Sequence, residues 1–217
     1  IVVFSMEMPS LDIGRRMIAG VSGVHYSSIK RGIVFTNGGE RDGAKMSANM
    51  HKLQSKNLII CDEAGLSPAL MRSVLRQVAK QHGGVSMACV DYIQLMDVNK
   101  SQPSNRNQEL TTISRDIKRM AMDFNIPFLI ISQLTKDVEK MKRRPTNGDL
   151  RESGAIAQDA DLIMMVHRQE KYDDKPTQEH MGMAEIIITK NRNGDCGTVH
   201  RGYDGPTFKF YDLERRL

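Results

Sequence analysis

The sequence predicts an α/β protein with a mainly parallel sheet and a C-terminal antiparallel hairpin. Three observations carry this reading. Short apolar runs alternate with amphipathic helical stretches along the chain. The runs at 1–6, 85–90 and 128–132 are bounded and almost wholly apolar, the pattern of strands covered on both faces. Near the C-terminus, two short strand-like segments flank Asn193-Gly194, a pair that favours hairpin turns.

The elements follow in order. Residues 1–6 form the first strand. Pro9 and Ser10 lead into a helix over about 11–20, and a short helix covers 27–31. Residues 40–54 are helical and 58–61 form a strand. Ser67 places a capping hydroxyl before a first-turn proline, Pro68, so a helix starts there. It runs to His82 and stops at Gly83-Gly84, and the strand 85–90 follows. Residues 97–107 are polar and turn-rich, a loop. The next helix sets Ile113, Ile117, Met120, Ala121 and Phe124 on one face and ends before Pro127. The strand 128–132 is followed by a polar loop, 135–148, with a basic run of Lys140, Lys142, Arg143 and Arg144. A short helix at 153–159 leads to the strand 162–166 and a polar loop, 170–182. Segments 184–189 and 197–201 flank the Asn191–Gly194 turn, and a last strand spans 207–211. There is no internal repeat, and 1–217 is read as a single domain.

A chain of 217 residues suffices for one well-buried core. Hydrophobic content of 40% and charged content of 26% exclude a low-complexity chain. No run reaches the roughly 18 apolar residues of a membrane span, so no membrane association is expected. The net charge of +5 is compatible with an acidic partner such as nucleic acid without requiring one. The 3 cysteines lack C-x-x-C spacing, and Cys61 and Cys89 sit in apolar runs. That suits a reducing, cytoplasmic setting and argues against a disulfide framework. The 6 histidines show no zinc spacing, and the 15 methionines read mostly as core filler. The chain opens on Ile1, inside a strand and without an initiator Met, which reads as an N-terminally truncated piece.

The three apolar runs end at Glu7, Asp91 and Gln133. Parallel sheets bind ligands beyond the carboxyl ends of their strands, so the three are candidates for one site. Asp91 after an apolar strand has the Walker B form, which holds Mg²⁺ beside nucleotide phosphates, usually through water. Alone, such an Asp serves equally as a turn or cap residue. Glu7 is placed to polarise a water attacking a terminal phosphate; its plain alternative is a surface Glu before the helix at Pro9. Gln133 can bond a phosphate oxygen through its amide and register its loss, or simply end a strand. Lys190 and Arg192 precede the Asn-Gly turn, where a rigid tip would offer an arginine finger to a neighbour's nucleotide. Their plain reading is a solvated basic hairpin. In the stretch 149–154, Arg151 can contact phosphate and Gly154 permits close backbone approach. The alternative there is a capped helix start with Arg151 paired to Asp149 or Glu152. No phosphate loop is found. The stretch from Gly38 to Lys45 approximates one, but Ala44 separates glycine from lysine and Met46 follows, so it reads as loop and early helix.

Six stretches together resemble the C-terminal motor domain of the DnaB-type replicative helicases, a RecA-like P-loop NTPase family. They are 4–9 (FSMEMP), 90–96 (VDYIQLM), 131–134 (ISQL), 149–154 (DLRESG), 158–161 (QDAD) and 188–194 (ITKNRNG). Each is weak alone, but they occur in the family's order across nearly the whole chain. The resemblance implies a homo-hexameric ring that hydrolyses ATP with Mg²⁺ between subunits and moves 5′ to 3′ along single-stranded DNA. It makes Glu7 the catalytic carboxylate, Asp91 the metal carboxylate and Gln133 the phosphate sensor. Lys190 and Arg192 would reach a neighbour's site, and Arg151, Glu152 and Gly154 would lie in a DNA-contacting central loop. The loop after Asp97 matches another central loop. Primase and a helicase loader are implied partners, and the source is bacterial or viral. In the family, Walker A and an N-terminal domain precede the position of Ile1, so this segment alone should bind ATP poorly. Two other classes stay open: a RecA-like recombinase, and a non-enzymatic module that only binds DNA or a partner.

Overall fold

The computed structural model describes residues 1–32, 41–54, 57–97, 105–150, 154–173 and 175–213. The chain divides into two compact units. One comprises residues 1–9, 58–164 and 188–196; the other comprises residues 10–57, 165–187 and 197–217.

The first unit is built on a four-stranded sheet of β1 (Val2–Ser5), β2 (Ile59–Cys61), β3 (Ala88–Asp91) and β4 (Phe128–Ile130), in the order β2-β1-β3-β4. Every pairing in it is parallel. Val2, Phe4, Ala88 and Val90 are fully buried and share one face, whereas Val3 and Cys89 on the other face are half-buried and Leu129 is exposed, so the cover on both faces that the sequence predicts is complete on one face only. Helix α4 (Pro68–His82) supplies Met71, Leu75 and Val78 to the core, and α5 (Arg106–Phe124) supplies Leu110, Ile113, Ile117 and Met120. Both helices begin and end on local signals. The Ser67 side chain accepts the Leu70 N–H at 3.3 Å, and Gly83 closes α4 with φ of 75°. Asn105 accepts the Asn107 N–H at 3.1 Å, and Asn125 ends α5 with φ of 51°.

The second unit holds α1 (Ser10–Ser22), α2 (Tyr26–Lys30) and α3 (Arg41–Gln54), with α1 packed on α3. Tyr26 meets the Phe208 ring edge-on at 5.2 Å, and the Arg16 guanidinium lies 4.7 Å above that ring. A second sheet has the order β5-β6-β7-β8, from β5 (Leu162–His167), β6 (Met183–Asn191), β7 (Gly197–Asp204) and β8 (Lys209–Tyr211); β7 and β8 pair antiparallel. The α/β class, the parallel sheet and the C-terminal hairpin are as the sequence predicts.

Several bounds differ. The third strand begins at Ala88 rather than Val85, because its partner β1 begins at Val2, opposite Ala88. Residues 106 and 107 belong to α5 and not to a loop, since Asn105 caps them. The polar stretch 135–148 contains a short helix, α6 (Lys136–Lys140), anchored by the buried Val138, and then a 3-10 turn, Asn147–Asp149. Residues 38–40 of the phosphate-loop-like segment lie outside the described residues, and the remainder of it is helical. Neither Asn193 nor Gly194 has positive φ. The hairpin connection spans 192–196 and is closed by Asn191, whose side chain accepts the Asn193 N–H at 3.2 Å and donates to the Asp195 carbonyl at 3.2 Å.

Candidate active site

The carboxyl edge of the parallel sheet gathers three of the candidate residues. Ser5 stands opposite Asp91 in the β1–β3 register, and Val90 stands opposite Ile130 in the β3–β4 register. The ladder continues past the strands: Met6 N–H donates to the Asp91 carbonyl at 2.9 Å, and Ile131 N–H donates to the Val90 carbonyl at 2.9 Å. Glu7 therefore comes two residues after β1, Asp91 ends β3, and Gln133 comes three residues after β4. With strands about 4.8 Å apart, the three backbone positions emerge within roughly 10 Å along one edge. A nucleotide phosphate chain has comparable reach.

Glu7 is exposed, but its turn is fixed by a residue the sequence reading passed over. Ser5 is buried, and its Oγ donates to the Met8 carbonyl at 2.8 Å and accepts the Met8 N–H at 3.3 Å. That side chain closes the turn on which Glu7 rides. Among the described residues, neither the Glu7 nor the Asp91 carboxylate takes part in an ion pair or a side-chain hydrogen bond. Asp91 and Glu7 are thus oxygen donors that a divalent cation could use, although no group of three or more His, Cys, Asp or Glu among the described residues is arranged to hold a metal.

Gln133 is exposed, and its backbone is fixed on the downstream side. Leu134 bridges to Leu150, and Thr135 N–H donates to the Asp149 carbonyl at 2.9 Å. Asp149 itself is buried and caged. Arg143 donates to both its oxygens, at 2.7 and 2.5 Å, while the Thr146 N–H and Oγ each donate to Oδ2 at 2.8 Å. These bonds, with the Arg143 guanidinium foremost, hold the carboxyl far below the usual carboxylate range. Arg143 is thus a structural partner and not a freely solvated member of the basic run. Arg151 and Glu152 lie outside the described residues. Gly154 begins α7 (Gly154–Asp159) in the open, with nothing within 4 Å of where a Cβ would stand.

Lys190 and Arg192 do not stand as free tips. Lys190 Nζ donates to the carbonyls of Ala157 at 2.6 Å and Gln158 at 3.0 Å. Arg192 donates to the Gln158 carbonyl at 2.8 Å and to Asp161 Oδ1 at 2.7 Å. The two cations thereby satisfy the terminal carbonyls of α7, where a helix end favours positive charge. Asp161 also accepts from Lys118 at 2.5 Å, and Lys118 first, then Arg192, draws its carboxyl below the usual value. Asp159 accepts from the Ser114 hydroxyl at 2.6 Å, tying the same turn to α5. The sequence contained the signal for this brace in the 158–161 stretch, but nothing in its spacing identified the partners.

The family model for the DnaB-like helicase C terminal domain matches residues 1–212. The chain is 41% identical over 215 residues to the replicative DNA helicase DnaB of Haemophilus influenzae, covering 98% of this chain and 45% of that protein. It is 34% identical over 218 residues to the replicative DNA helicase DnaC of Bacillus subtilis, covering all of this chain and 46% of that protein. The chain thus spans a little under half the length of these relatives. A solved structure of a DnaB-like replicative helicase, described with its interactions with primase, superposes with a TM-score of 0.89 at 32% identity, over 98% of this chain and 50% of that one.

Proposed function

Because the chain belongs to the DnaB-like helicase C-terminal domain family, we propose that residues 1–217 are the RecA-like motor domain of a replicative DNA helicase. It couples ATP hydrolysis to 5′-to-3′ movement along single-stranded DNA, within a ring of six copies. The observation that supports this best is the shared strand edge, where Glu7, Asp91 and Gln133 stand at or just beyond the carboxyl ends of three adjacent parallel strands. Bound ATP and Mg²⁺ would supply the phosphoryl group to be transferred and the cation that offsets its charge. Asp91 would hold the metal, directly or through water. Glu7 would take a proton from the attacking water, a role worth roughly 10²–10⁴ in rate. Gln133 would bond the terminal phosphate through its free carboxamide. Lys190 and Arg192, presented by the brace at α7, would serve a neighbouring copy's nucleotide. Arg151, Glu152 and Gly154 would face DNA. Primase and a loader are further proposed partners.

The test uses a protein that joins these residues to a G-x-x-x-x-G-K-[ST] phosphate loop. It should hydrolyse ATP and be stimulated by single-stranded DNA, while residues 1–217 alone should show little turnover. Glu7→Gln should bind ATP nearly as the parent does and lose about 10²–10⁴ in turnover. Turnover at the parent rate in that variant would refute the assignment of Glu7. A phosphate-loop protein that binds single-stranded DNA without hydrolysing ATP would support the non-enzymatic reading instead.

A further inference from the structure

Gln94 lies in the 3-10 turn Ile93–Leu95, immediately after the strand that carries Asp91. Its half-buried side chain crosses to the segment after β4. Gln94 Nε2 donates to Ser132 Oγ at 2.9 Å and more weakly to the Gln133 carbonyl at 3.4 Å, and Gln94 Oε1 accepts the Gln133 N–H at 3.2 Å. One carboxamide thus brackets the Gln133 peptide with both its donor and its acceptor. The backbone of the turn is held as well. Arg106 donates to the Gln94 carbonyl at 2.7 Å and the Met96 carbonyl at 3.0 Å, and its other terminal nitrogen pairs with the nearly buried Glu109 at 2.6 Å. A surface glutamine that only solvated a strand end would have no need of so many directed bonds.

We propose that Gln94 is the positioning residue for Gln133: it sets the rotation of the Gln133 peptide, and so the aim of the Gln133 carboxamide at a terminal phosphate. Arg106 holds the turn that carries Gln94. This inference rests on the reading of Gln133 as the phosphate sensor. Gln133 is exposed, and among the described residues its carboxamide makes no hydrogen bond, so its direction is inherited from its backbone. That backbone is fixed downstream by the Leu134–Leu150 bridge and upstream by Gln94. Removing the upstream clamp frees the peptide to rotate, and a sensor that samples several directions no longer separates nucleotides that differ by one phosphate.

The test measures affinity for ADP and for the imido analogue of ATP, in the phosphate-loop protein with Mg²⁺. Gln94→Met keeps the side chain's length and removes only its amide. Its preference for the triphosphate analogue over ADP should fall by roughly three- to tenfold, the effect of about one hydrogen bond, with ADP affinity near the parent's. The double variant Gln94→Met with Gln133→Ala should be no worse than Gln133→Ala alone, because both act through one contact. Equal losses for both nucleotides, or additive losses in the double variant, would overturn the proposal. If Gln133→Ala lowers the preference and Gln94→Met does not, the positioning role fails while the sensor reading stands. If Gln133→Ala itself leaves the preference unchanged, the sensor reading fails and takes the positioning role with it.

Discussion

The strand edge and the basic hairpin treat charge in opposite ways. At the edge, Glu7 and Asp91 stand without a cationic partner among the described residues, although each is flanked by a well-bonded backbone. At the hairpin, Lys190, Arg192 and Asp161 are fully engaged with α7, Lys118 and one another. Carboxylates left without a cationic partner are what the proposed metal role of Asp91 calls for. The cations at the hairpin are held in one orientation by their partners. The difference warns against reading exposure as availability: Asp161 is half-exposed, yet it binds two cations.

The strongest way to break this contrast is to remove Arg192. In the phosphate-loop protein, Arg192→Ala should lower turnover by about 10³–10⁵ if the guanidinium serves a neighbour's nucleotide. Mixing those subunits with Glu7→Gln subunits should restore some activity, because some interfaces then carry both groups. Mixed rings with no recovery would confine Arg192 to its brace at α7.

Asp149 offers a control, being caged by charge with no proposed chemistry. Asp149→Asn should lower the thermal midpoint by roughly 3–12 °C, from lost charge-assisted hydrogen bonds in a domain of this size. The pH dependence follows from the depressed carboxyl. Its stabilisation is fully present above the unfolded value of about 3.9 and is lost as pH falls through the lower folded value. The gap between parent and variant midpoints should thus be constant from neutrality to about pH 5 and shrink only in stronger acid. A gap that closes already near neutral pH would mean that the cage is not what stabilises this turn.

A gentler probe addresses the loop beyond Leu150. Arg151→Ala should weaken single-strand binding on every sequence and reduce the salt slope by roughly 0.7 per lost phosphate contact. An unaltered slope in an intact ring would remove Arg151 from the DNA interface. The smallest effect belongs to Asp161→Asn. Exposed ion pairs contribute about 0–1 kcal/mol, so its thermal midpoint should move by less than about 4 °C and converge on the parent's at high salt. If turnover nonetheless drops several-fold, the brace sets the aim of Arg192, and the hairpin's partnered state is functional.

Much of the strand edge was legible because apolar runs of fixed length end abruptly in one polar residue. A sheet converts such ends into neighbours. The 85–87 segment was overextended because pairing, not hydrophobicity, ends β3, and the partner strand is only four residues long. Residues 135–148 hid α6 because a single buried valine leaves no periodicity to detect. The α5 cap at Asn105 was present in the sequence but submerged in a polar run. The partners of Lys190 and Arg192 lie more than 30 residues away, beyond any local pattern. Gln94 belonged to a recognised stretch, yet only coordinates could connect it with Gln133 across 39 residues.

Ser5 has a consequence for how firmly Glu7 is aimed. Its hydroxyl touches no proposed reactant, yet it closes the turn that carries Glu7. Replacing it with alanine would delete one buried oxygen, and the Glu7 charge would stay in place. What would be lost is steadiness of aim. If Glu7 serves the proposed role, Ser5→Ala would act as a throttle, lowering turnover in part while leaving nucleotide binding near the parent's.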